Sequence, residues 1–103
     1  MAPNLTIEER DEANQHLDRS ISFAFTGKYD LAIEAVKKAI QIDPEFAQAY
    51  NKLGDYYVRK GMNKEAASAY RTSLELDDNN ENSHFDYGCT LASLGDYDLA
   101  MHE

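Results

Sequence analysis

Gly27-Lys28-Tyr29-Asp30-Leu31-Ala32 reappears later in the chain as Gly95-Asp96-Tyr97-Asp98-Leu99-Ala100, with one residue of the six changed. The offset is 34, and it continues outward from the quoted stretch. Gly61 and Ala66 fall midway, Phe23 pairs with Tyr57 and Leu91, Ile40 with Leu74, Ile42 with Leu76, and Asp43 with Asp77. A fixed period of this length marks an array of like units, each too small to bury its apolar face alone. The phase divides the chain into a lead-in (1–12), a first repeat (13–46), a second (47–80) and an incomplete third (81–103), within one domain.

Each unit reads as two helices joined by a short turn. Tyr50, Leu53, Gly54 and Tyr57 recur at the spacing of one helical face, and Gly61 follows where a left-handed residue closes a helix. A second stripe follows in Ala66, Ala67, Tyr70 and Leu74. Asp43-Pro44-Glu45 is predicted to start a helix, with Asp as N-cap, Pro in the first turn and Glu near the positive dipole end. Thr6-Ile7-Glu8-Glu9 has the spacing of a capping box. The predicted helices are 7–26, 29–42, 46–60, 63–76, 80–94 and 97–103. Short side chains, Gly54 with Ala66 and Ser20 with Ala32, are placed where paired helices cross closely.

The pattern resembles the tetratricopeptide repeat family. The second repeat carries the likeness best, through Tyr50, Leu53, Gly54, Tyr57, Gly61, Ala66 and Tyr70 in the family's order and spacing. The first matches in its second half, through Gly27, Tyr29, Ala32, Ala39 and Pro44, and departs at Arg19 and Ser20, where Leu and Gly are usual. The third keeps Gly88, Gly95, Tyr97 and Ala100. The resemblance implies an all-α fold, a right-handed superhelical array of antiparallel helix pairs (an α-solenoid) with two complete repeats and a truncated third. It implies a non-catalytic scaffold that binds a partner peptide or helix on its concave side.

Composition narrows the function classes. The 103 residues carry 19 acidic and 10 basic side chains, for a formal charge of −9. So acidic a surface repels nucleic acid and anionic lipid, and neither is an expected partner. The single Cys89 excludes an internal disulfide. No signal-peptide pattern or membrane-length apolar run is present, which points to a cytoplasmic protein. No glycine-rich phosphate loop, nucleophile elbow or metal-binding spacing occurs, so no catalysis, cofactor or metal is expected. His16 and His84 stand where the second repeat has Tyr50, at a packing position. Cys89, with no Lys or Arg after Arg71, is read as a small, partly buried filler.

The first helix of each repeat is expected to line the concave groove. Leu17, Ile21 and Phe25 lie at steps of four on the first such helix, Asn51, Asp55 and Arg59 at the equivalent places on the second, and Phe85, Cys89 and Ser93 on the third. Leu17, Ile21, Phe25 and Phe85 serve as apolar anchors in this reading, and Asn51, Asp55, Arg59 and Asn82 select orientation. Leu5 and Ile7 folding back would instead cover Leu17 and Ile21. In family members that bind heat-shock chaperones, the partner's C-terminal carboxylate is held by Lys and Asn, then Asn, then Lys and Arg, on successive groove helices. The matching places here are Leu17, Ile21, Lys52, Asn82 and Asp86, none of which agrees, so a chaperone carboxylate clamp is not expected. The short last repeat leaves room for self-association into an oligomer, and a regulatory or targeting segment of a larger enzyme is a further alternative.

Overall fold

Helix α1 (Ile7–Phe25) opens the computed structural model, which describes residues 5–77 and 81–102. Its start is the capping box expected from the sequence. Thr6 Oγ1 accepts the Glu9 N–H at 3.0 Å, and Glu9 Oε1 accepts the Thr6 N–H at 3.2 Å. Two donors that the first turn cannot satisfy internally are thereby paired. Helices α2 (Tyr29–Ile42), α3 (Ala47–Arg59), α4 (Asn63–Leu76) and α5 (Glu81–His102) follow. The chain is all-helical among the described residues.

The turns within the first two helix pairs share one construction. Gly27 and Gly61 sit at φ +79° and +77°, the left-handed region that favours glycine. Past each glycine, an N–H reaches back over the helix end: Lys28 to the Phe23 carbonyl and Met62 to that of Tyr57, both at 2.8 Å. Gly27 N–H to Ala24 and Gly61 N–H to Val58, each at 3.0 Å, complete the closure. The link from α2 to α3 differs from expectation. Asp43-Pro44-Glu45 forms a turn outside the helix, and Asp43 Oδ1 accepts the Glu45 N–H at 3.1 Å. α3 begins only at Ala47, because that short Asx bond holds the Asp43 carboxylate in the turn and out of reach of the helix.

Each helix packs chiefly on its sequence neighbour, giving an array of antiparallel pairs with lighter contacts from α1 to α3 and from α3 to α5. The core runs through Leu17, Ala32, Val36, Ala39, Ala49, Leu53, Tyr56 and Ala69. Alanines at the crossings let the axes close in, and Ala32, Ala39, Ala49 and Ala66 are wholly buried. Gly54 marks the tightest approach: a β-carbon there would lie 2.5 Å from the Tyr70 ring. Buried polar groups in this core are paired. Ser20 Oγ donates to the Leu17 carbonyl at 2.6 Å and so receives the Tyr56 hydroxyl at 3.0 Å, tying α1 to α3. Ser73 Oγ donates to the Ala47 carbonyl at 2.8 Å, tying α4 to the start of α3.

The third unit breaks the pattern. A turn is predicted at Gly95, yet α5 runs through it without interruption from Glu81 to His102. The same six-residue signature is thus a turn and a helix start at Gly27 and mid-helix at Gly95. Continuing α5 needs no new nucleus, and one glycine inside a helix costs only about 1 kcal/mol.

Candidate functional site

Four residues advance a helix by 400°, or 40° beyond one full turn. A stripe at steps of four therefore winds around its helix, and the residues expected to line the groove are separated by that drift. On α1, Leu17 is 4% exposed, Ile21 39% and Phe25 92%. On α3 the series repeats, with Asn51 buried, Asp55 half-buried and Arg59 exposed. Leu17 is thus a core residue and not a groove residue, and Asn51 is likewise interior. Ile7, at 81% exposure, covers neither Leu17 nor Ile21.

The outer members of both stripes meet. Ile21, Ala24 and Phe25 of α1, Tyr29 at the start of α2, and Lys52, Asp55, Tyr56 and Arg59 of α3 line one open cleft of about 270 Å³. Tyr29 and Tyr56 form its floor, their rings tilted at 42° with centroids 6.5 Å apart. The hydroxyl of Tyr56, bound to Ser20, fixes that floor to α1. Ala24, Tyr29, Lys52 and Tyr56 were absent from the sequence-based set. Three of them stand one or three residues from a predicted groove residue, on the adjoining part of the same helix face. Phe85 on α5 is 71% exposed and lies away from this cleft. Asn82 falls in the part of α5 whose side chains lie outside the described ones. Cys89 is exposed and not a partly buried filler, because the face of α5 that carries it is uncovered.

Asp55 is the electrostatic centre of the cleft. Its Oδ1 accepts the Tyr70 hydroxyl at 2.6 Å, a bond that reaches through α3 to the buried side of the pair. Burial pushes the Asp55 carboxyl above its ordinary range; the Tyr70 hydroxyl opposes this, Asp86 raises it further, and Lys52 opposes it. Tyr70 in turn is driven up by burial and by the Asp55 charge, so its hydroxyl stays a donor. A carboxyl that ionises less readily in the folded chain than in the unfolded one favours folding at low pH. That contribution is lost as pH rises from 3.8 through the raised native value. Asp55→Asn keeps an acceptor for Tyr70 but cannot ionise. Urea melts of variant and parent should therefore diverge in the variant's favour between about pH 4 and pH 7. A constant difference across that range would show that Asp55 titrates as it does in the unfolded chain.

Among the described residues no group of three metal-ligating side chains occurs, and no helix is long and apolar enough to cross a membrane. Comparison with known proteins gives a consistent result. Residues 24–61 match a family model described as TPR repeat, and residues 47–80 and 69–102 match two described as tetratricopeptide repeat. The small glutamine-rich tetratricopeptide repeat-containing protein 2 of Mycosarcoma maydis is 39% identical over 64 residues, 62% of this chain and 18% of that protein. The Hsp70-Hsp90 organizing protein of Triticum aestivum is 33% identical over 64 residues, 62% of this chain and 11% of that protein. This chain therefore spans only a small part of either relative. The second TPR of Spaghetti (RPAP3), solved bound to HSP90 peptide SRMEEVD, has the same fold, with a TM-score of 0.82 at 23% identity over 92% of this chain and 88% of that one.

These likenesses overturn the expectation that excluded chaperone-binding clamp members. Residue type at five positions does not decide the matter. One of them, Leu17, lies in the core and says nothing about what a groove holds. Another, Asn82, has a side chain outside the described set. The cleft itself carries two cations, Lys52 and Arg59, of which only Lys52 is among those five.

Proposed function

Since the chain belongs to the tetratricopeptide repeat family, whose repeats generally mediate protein–protein interaction, we propose that it is a non-catalytic binding module that holds a partner peptide in the cleft between α1 and α3. One observation carries the reading: an apolar wall of Ile21, Ala24 and Phe25 faces Lys52 and Arg59 across a tyrosine floor. Phe25 is 92% exposed at the cleft's edge, and a partner side chain laid on it gains the area that folding leaves uncovered. The pairing of aromatic wall and basic rim suits an acidic peptide with an apolar side chain beside its carboxylates. The similar fold solved with HSP90 peptide SRMEEVD makes that peptide class the first to test. Asp55, between the two cations, disfavours a carboxylate at the centre and so selects the peptide's register. The cleft belongs to stacked, packed helices, so little ordering is needed on binding.

Fluorescence anisotropy with labelled SRMEEVD peptide tests this directly. The parent chain should bind, and Ile21→Asp combined with Arg59→Ala should weaken binding at least about tenfold, since it removes an apolar contact and a charge together. Both side chains lie at the surface, so far-ultraviolet circular dichroism of the variant should match the parent. Equal affinity in parent and variant would refute the cleft as the binding site.

A further inference from the structure

The cleft between α1 and α2 on the opposite side of the array occurs twice. In the first pair it is lined by His16, Arg19, Phe23, Leu31, Glu34, Ala35 and Lys38. In the second pair it is lined by the residues 34 positions later, from Tyr50 and Leu53 to Ala69 and Thr72. The same backbone geometry thus holds two different chemistries. Leu53 and Thr72 of the second cleft are replaced in the first by Arg19 and Lys38. Arg19 is one of the two places where the first repeat departs from the family pattern.

Neither cation is paired among the described residues. Arg19 and Lys38 are both exposed. His16 at the rim approaches Glu12 only at 4.0 Å. Between the cations, Phe23, Leu31 and the buried Ala35 form an apolar floor, which lowers the local polarity and strengthens a charge contact made above it. At 100° per residue, His16, Arg19 and Phe23 lie on the side of α1 opposite Ile21, Ala24 and Phe25. This cleft and the peptide cleft are therefore separate surfaces.

We propose that the Arg19–Lys38 cleft is a second binding site, which takes one carboxylate side chain of an acidic peptide with its neighbouring apolar group on the Phe23–Leu31 floor. Its volume, about 160 Å³, suits a single side chain and not a folded element. The guanidinium of Arg19 meets the carboxylate as a fork, with the Lys38 ammonium as a point charge beside it. Glu34 on the same rim excludes a second carboxylate, so the site discriminates a single acidic residue from a run of them.

The test uses the isotopically labelled full chain and the blocked peptide Ac-Leu-Glu-NH2, followed by amide resonances. The expected result is a saturable shift at Arg19, Phe23, Ala35 and Lys38, absent with Ac-Leu-Gln-NH2. Arg19→Gln combined with Lys38→Gln should reduce the affinity at least about tenfold, as expected for loss of charge-assisted hydrogen bonds. The Ile21→Asp and Arg59→Ala variant should leave these shifts intact, which separates this site from the peptide cleft. Shifts that persist in the Gln variant, or that are equal for the Glu and Gln peptides, would overturn the proposal, as would the absence of any shift at these four residues.

Discussion

Replacing Tyr70 with Ala is expected to destabilise the chain by about 3–5 kcal/mol, the range for deleting a large buried aromatic. Tyr70 is only 2% exposed and is among the largest fully enclosed side chains. Its ring lies against Gly54 of α3, and its hydroxyl donates to Asp55 on the same helix. The substitution therefore opens a cavity and leaves a half-buried carboxylate without its donor, two costs that act in the same direction. In a thermal melt followed by circular dichroism, the midpoint should fall by more than about 10 °C. Tyr70→Phe separates the two contributions. It keeps the ring, and it should cost about 1.5–3 kcal/mol for the lost bond to a charged group. A midpoint for Tyr70→Ala within a few degrees of the parent would mean that the α3–α4 contact is not organised around this ring.

The second large effect comes from the other side of the same contact. Gly54→Leu should destabilise by about 1–3 kcal/mol or more, although leucine favours a helix far more than glycine does. The reason is steric. A β-carbon alone would stand 2.5 Å from one ring carbon of Tyr70 and 2.6 Å from another. The ring has no easy retreat, being enclosed and tethered through its hydroxyl at 2.6 Å. Gly88, at the equivalent place 34 residues later, supplies the control. A β-carbon there meets nothing within 4 Å. Gly88→Ala should be neutral or stabilising by about 0.5–1 kcal/mol through helix propensity alone. If denaturant melts ranked the two glycines the other way, the assignment of the close helix approach to Gly54 would be wrong.

Most of the helical framework was legible in the residues, because periodicity and glycine placement are local signals. The four helices α1 to α4 fall within about a residue of the expected bounds, since Gly27 and Gly61 stop their helices through backbone conformation, which needs no distant partner. The start of α3 was less legible. Asp43 has two uses for its carboxylate, a helix cap or an Asx turn, and only the geometry of the chain after Pro44 chooses between them.

The depth of each stripe residue was not legible in the sequence. Steps of four correctly pick residues along one side of a helix, but they drift by 40° at each step, and sequence alone does not say where the drift crosses from core to solvent. Leu17 and Asn51 fell on the buried side of that boundary, and Phe25 and Arg59 on the open side. Ala24 and Tyr56 lie outside the steps of four. They belong to the core packing, and they also form the cleft's lining.

By itself the sequence determined the repeat, the period of 34, the helices and the small residues that let them pair, because each of these follows from local backbone preference and apolar spacing. The tertiary structure alone decided which side chains face a partner, since burial depends on how far each helix is rotated against its neighbours. It also decided the fate of the repeated six-residue signature. At Gly27 the following helix has α1 and α3 to pack on, and the chain turns. At Gly95 the same signature continues straight within α5, where no new helix nucleus is needed.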